Sequence, residues 1–149
     1  MPVLMRSRLR QPAPLPRSIK ALAQAVLKAA GEADAELSVE FVGDGCMRRL
    51  NRTYRRRDAT TDVLAFSARE ACFPVASVLG DVVISLPTAA RQAAAQQQRL
   101  EQEVATLLVH GVLHLCGYDH ERSAREAARM FRKQRAILRK LGPIPKLFR

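Results

Sequence analysis

The sequence predicts one domain of mixed helices and strands. Three observations carry that prediction. The chain has 149 residues, of which 48% are hydrophobic, enough for a single core. Four short stretches, 3–9, 37–41, 61–66 and 78–85, have the apolar alternation or the short apolar run of strands. Longer stretches between and after them repeat their apolar residues at helical spacing. No internal repeat or domain linker interrupts residues 1–149.

The elements follow in order. Residues Val3 to Leu9 alternate imperfectly and read as an edge strand. Pro12, Pro14 and Pro16 mark a connection and the approach to a helix. Ile19, Leu22, Ala23, Val26, Leu27 and Ala30 then form one helical face, ended by Gly31. Leu37, Val39 and Phe41 alternate with polar neighbours, as in a half-buried strand. Asp44 reads as the N-cap of a short helix presenting Met47, Leu50 and Tyr54. Thr61 to Phe66 is a strand and Ala68 to Ala76 a loop. Val78 to Ser85 is apolar on both faces, which places it centrally in a sheet. Pro87 to Gln98 is an Ala- and Gln-rich helix, and Leu100 to Cys116 another. Glu121 to Leu141 is the last, with Ala127, Met130, Phe131, Leu138 and Leu141 toward the core. The ends, 1–17 and 143–149, read as loosely ordered.

The formal charge is +11, from 25 basic and 14 acidic residues. An excess of that size points to a polyanionic partner, nucleic acid ahead of a membrane surface. Cys46, Cys72 and Cys116 lack the spacing of disulfide or zinc pairs and read as free thiols. No run approaches the roughly 18 apolar residues of a membrane span. Residues 1–10 lack the apolar centre of a signal peptide, so the expected location is the cytoplasm.

All three histidines fall between His110 and His120. His110 and His114 are four apart, one turn above each other on a helix face. Gly117 suits the left-handed turn that ends a helix, after which the chain can bring His120 to a third corner. Three neutral imidazoles leave a tetrahedral zinc one open position, the arrangement of a catalytic site. Buried without such an ion, the two helical imidazoles would together cost several kcal/mol or so. Cys116, two residues beyond His114, points off that face and suits core packing.

His-x3-His-x5-His is also a metallopeptidase spacing, but those enzymes place Glu after the first histidine as general base. Here that position is Gly111. Glycine inside a helix costs about 1 kcal/mol relative to alanine. Either another backbone packs there or the site stays open to substrate. Upstream, Arg52, Arg55, Arg56 and Arg57 cluster at a helix end. One of them could hold a phosphate through two parallel hydrogen bonds. The basic residues from Arg122 to Lys140 read individually as a solvated face.

The segment His110-Gly111-Val112-Leu113-His114-Leu115-Cys116-Gly117-Tyr118-Asp119-His120 resembles the signature of the YbeY family of bacterial endoribonucleases. Two further stretches agree in order and spacing. Leu50-Asn51, Tyr54-Arg55, Asp58 and Thr61-Asp62-Val63-Leu64 resemble the family's central motif, and Leu79 to Ser85 its second strand motif. Ala65 and Ser67 stand where the family usually has serine and proline.

The resemblance implies an α+β fold of zincin-like type, with a small mixed four-stranded sheet backed by about five helices. It implies cleavage of single-stranded RNA, maturation of the 3′ end of small-subunit (16S) ribosomal RNA, and ribosome quality control. Implied partners are ribosomal RNA, the small ribosomal subunit and its assembly GTPase, with no membrane. His110, His114 and His120 fall on the family's ligands for one Zn2+, and Arg55 on its active-site arginine. Two other readings compete: an assembly factor whose zinc is mainly structural, and a metallopeptidase, which Gly111 disfavours.

Overall fold

The computed structural model describes residues 3–70 and 77–149. Four strands form one sheet: β1 (Val3–Ser7), β2 (Glu36–Val42), β3 (Val63–Ser67) and β4 (Val78–Ser85). Their order is β1-β2-β4-β3, so β1 and β3 are edges. β1 runs parallel to β2 and β2 parallel to β4, whereas β3 runs antiparallel to β4. Five helices pack on this sheet: α1 (Pro16–Ala29), α2 (Asp44–Arg55), α3 (Leu86–Ala95), α4 (Leu100–Leu115) and α5 (Ala124–Leu141). This is the expected α+β arrangement, a mixed sheet of four strands with five helices.

The sheet separates two apolar layers. The larger unites α1, α4 and part of α5 with Val39, Phe41, Val82 and Ile84 of the central strands. The smaller lies under α2 and joins Met47 to Val42, Leu64 and Val83. β4 is central because both its faces are covered, and Leu79, Val82 and Ile84 are fully buried. α4 is buried nearly all round, from Val104 to Leu115. It crosses the sheet closely because position 111 has no side chain. A Cβ there would meet Val82 Cγ1 at 2.8 Å and Val63 Cγ2 at 3.4 Å. The space left by Gly111 is therefore filled by side chains of the sheet.

Several local expectations are corrected. Gly43, not Asp44, is the N-cap of α2. The Asp44 carboxylate instead accepts hydrogen bonds from Ser85 and Thr88, at 2.7 and 2.6 Å, and pairs with Arg91 at 2.8 Å. It thus ties α2 to β4 and α3. Phe131 lies away from the core, 38% exposed, while Ile137 takes an inward place. Neither end is loose over its described residues. β1 is a paired strand, and Ile144, Leu147 and Phe148 are buried, with Phe148 edge-on to Phe41. Pro14 bridges Phe148, and Leu15 N–H donates to the Leu147 carbonyl at 2.8 Å. The expected loop at 68–76 is seen only as a short 3-10 turn, Ala68–Glu70. Its remainder, Cys72 included, lies outside the described residues.

Candidate active site

α4 places His110 and His114 on one face, and its end places His120. Gly117 has φ of +100°, and its N–H bonds the His114 carbonyl at 3.1 Å. Tyr118 N–H reaches back to the Leu113 carbonyl at 3.1 Å, completing a Schellman turn. The chain reverses there and His120 returns toward the helix. Its ring centroid lies 5.1 Å from that of His110 and 6.5 Å from that of His114. All three half-buried imidazoles line one cleft of about 770 Å3.

His110 Nδ1 donates to Gln134 Oε1 of α5 at 2.9 Å, which leaves Nε2 as its lone-pair nitrogen. Burial, with the other two histidines adding, disfavours the charged form of His110 and holds it below the usual imidazole range despite the Gln134 bond. Nδ1 of His114 and Nδ1 of His120 are buried without a hydrogen-bond partner. Each orphan costs about 1–3 kcal/mol, and a cation that took such lone pairs would remove the cost. Imidazole nitrogens are a donor type that suits zinc. As the rings stand, no three His, Cys, Asp or Glu side chains among the described residues are grouped to hold an ion. The 6.5 Å between His114 and His120 exceeds the about 5 Å between two imidazoles on a tetrahedral zinc.

The arginine cluster divides. Arg55 and Arg57 line the histidine cleft, whereas Arg52 turns to Asp58 at 4.0 Å. Arg56 adopts the left-handed conformation that ends α2. Arg55 donates to the Ala65 carbonyl of β3, and its guanidinium lies 5.4 Å from the centre of the Phe66 ring. Arg55 and His114 also share a smaller adjoining hollow with Tyr118.

Sequence reasoning missed three contributors. Gln134 orients His110, but a glutamine on a charged helix carries no signal by itself. Phe131 stands beside the histidines, its ring 6.2 Å from His110 and 6.1 Å from His120. Glu103 also lines the cleft and is only 5% exposed. Burial pushes its carboxyl above the usual range against a hydrogen bond from Gln98. Its signal was legible: Glu103, His110 and His114 share a helical face at steps of seven and four. Cys116 packs against the core as expected, its thiol raised by burial.

The profile of the family described as Endoribonuclease YbeY matches residues 9–142. The chain belongs to the YbeY family. A member from Anaeromyxobacter sp. (strain Fw109-5) is 49% identical over 128 residues, which is 85% of this chain and 65% of that protein. A member from Aquifex aeolicus is 45% identical over 124 residues, covering 83% of this chain and 82% of its own. Both carry the name Endoribonuclease YbeY. The chain thus spans about two thirds of the Anaeromyxobacter member's length. The fold is similar to the solution structure of TM1509 from Thermotoga maritima, with a TM-score of 0.64 at 23% identity. That match covers 93% of this chain and 88% of TM1509. His110, His114, His120 and Arg55 lie within the segment that matches the family. Among the described residues no helix is long and apolar enough to cross a membrane.

Proposed function

We propose that the chain is a metal-dependent endoribonuclease acting on single-stranded RNA. One observation carries the reading: three histidines and Arg55 line the same cleft in a member of a family named for this activity. His110, His114 and His120 are the residues that would hold Zn2+. The ion supplies a Lewis-acid contact and lowers the pKa of a bound water to about 7. Three neutral ligands leave its charge uncompensated, which favours an anionic substrate.

The protein's own groups then have distinct tasks. Gln134 fixes the His110 ring and its tautomer. Arg55, braced by the Ala65 carbonyl and the Phe66 ring, neutralises charge on the attacked phosphate. Asp119 also lines the cleft, but the Glu121 N–H bonds its carboxylate at 2.8 Å and holds it below the usual range. It anchors the loop carrying His120 and is a poor proton acceptor. Exposed Phe131 offers a face on which an unpaired base can stack.

The finer reading is maturation of the 3′ end of 16S ribosomal RNA and ribosome quality control in the cytoplasm, with the small subunit and its assembly GTPase as partners. The family motifs support it, and the free Cys46 and Cys116 suit a reducing compartment. The test is Arg55→Ala, assayed with metal analysis and single-stranded RNA. Zinc content should be unchanged and cleavage about 10²–10³-fold slower, as for loss of one charge-stabilising donor. Normal cleavage by this variant would remove the role given to Arg55. A 2′,3′-cyclic phosphate on the product would show attack by the RNA's own 2′-hydroxyl.

A further inference from the structure

We propose that the outer face of α5 is a docking surface for the RNA backbone beyond the cleft; this rests on the nuclease reading. α5 carries seven basic residues and one acidic residue, more than half of the chain's net charge. Arg125, Arg129, Arg132, Arg135 and Arg139 are all exposed. Their steps of four, three, three and four place them on one broad face, with neighbours about 5–6 Å apart. The stripe runs about 21 Å along the helix.

A merely solvated face accounts poorly for this pattern. Among the described residues, no acidic side chain pairs with any of the five. The one acid of α5, Glu126, pairs instead with Arg122 before the helix. Like charges at these spacings repel, so the stripe stands unneutralised at a cost to the helix. The helix dipole rewards cations only in the last turn, near Arg139 and Lys140. Arg125 sits in the first turn, where the dipole disfavours it, and Arg129 and Arg132 lie mid-helix, where the dipole offers them nothing.

The stripe also connects to the cleft. Arg129 lies 4.9 Å over the Tyr118 ring, and Tyr118 lines the hollow shared by Arg55 and His114. Across the helix, Phe131 and Gln134 line the cleft itself. A strand leaving the cleft past Tyr118 therefore meets arginines spaced for successive phosphates, each able to fork two oxygens. The arginine face itself carries no large apolar side chain to enter a bilayer, which favours nucleic acid over a membrane surface.

The test uses the full chain with Arg132→Gln, Arg135→Gln and Arg139→Gln together, none of which lines the cleft. Two RNAs are compared: one that fills only the cleft, and one long enough to cross α5. The long RNA should bind about 10-fold more weakly, with its salt slope reduced by about 2, the share of three phosphates on a single strand. KM should rise for the long RNA alone, with kcat unchanged for both and melting temperature retained. Unchanged long-RNA binding and salt slope would overturn the proposal, as would phosphatidylserine vesicles binding the wild type while RNA affinity stays constant. Binding is read without cleavage, so an inactive wild type would count against the nuclease reading and leave the docking result intact.

Discussion

Gly111 of α4 stands so close to Val82 of β4 that one added methyl would fall 2.8 Å from Val82 Cγ1. The helix bearing two of the histidines is thus seated by a missing side chain. Gly111→Ala gains about 1 kcal/mol of helix propensity but incurs about 1–3 kcal/mol of overpacking. The expected net result is a loss of stability and a melting temperature lowered by a few degrees. Val82→Ala in the same chain should relieve part of it, so a double-mutant cycle by urea denaturation should show favourable coupling. Independent, additive effects would disprove the contact.

Gln134 touches the site through His110 alone among the histidines. Gln134→Leu should lower zinc affinity about 10–100-fold by freeing the ring and its tautomer. Competition against a chromophoric chelator measures this, and the melting temperature of the metal-free protein should change little. Zinc held as tightly as in the wild type would remove the orienting role.

Much of this site was readable before any coordinates because its chemistry is compressed into eleven residues. A helix from Leu100, the stop at Gly117 and the return of His120 all follow from local spacing. Arg55 needed the family motif, because four neighbouring arginines look alike until the cleft admits two of them. Phe131 and Gln134 were illegible for a different reason. Their roles depend on how α5 is rotated against α4, which is set by burial of Met130 and Ile137. The buried C-terminal segment escaped because Ile144, Leu147 and Phe148 have helical spacing but sit beside Pro143 and Pro145, which break a helix and leave no element to assign them to. Asp44 was misread since a cap residue and a cross-element anchor look the same in sequence.

Asp44 makes stability depend on acid. Burial pushes its carboxyl up, but hydrogen bonds from Thr88, Ser85 and Arg91, with the Arg91 charge, outweigh burial and lower it to about 2. The unfolded carboxyl titrates near 3.9. A depressed folded value gives stabilisation that is present above about pH 4 and is lost as pH falls toward 2. Asp44→Asn should therefore cost about 1–2 kcal/mol at pH 7, allowing for solvent screening of a partly exposed group. The gap from the wild type should close toward pH 2. Urea titrations at both pH values check this, and a gap that is constant with pH would contradict it.

The hydrogen bond from Arg55 to the Ala65 carbonyl bears on which polymer can lie in the cleft. β3 is an outermost strand, paired with β4 on one side only. An extended peptide joins a sheet by pairing its backbone amides with the open carbonyls of such a margin. Here a guanidinium already occupies the middle carbonyl of that row and puts a fixed positive charge in the path. Polypeptide threading is obstructed at the position where it would need to register, whereas a phosphodiester chain, which carries no amide ladder, loses nothing and meets a cation.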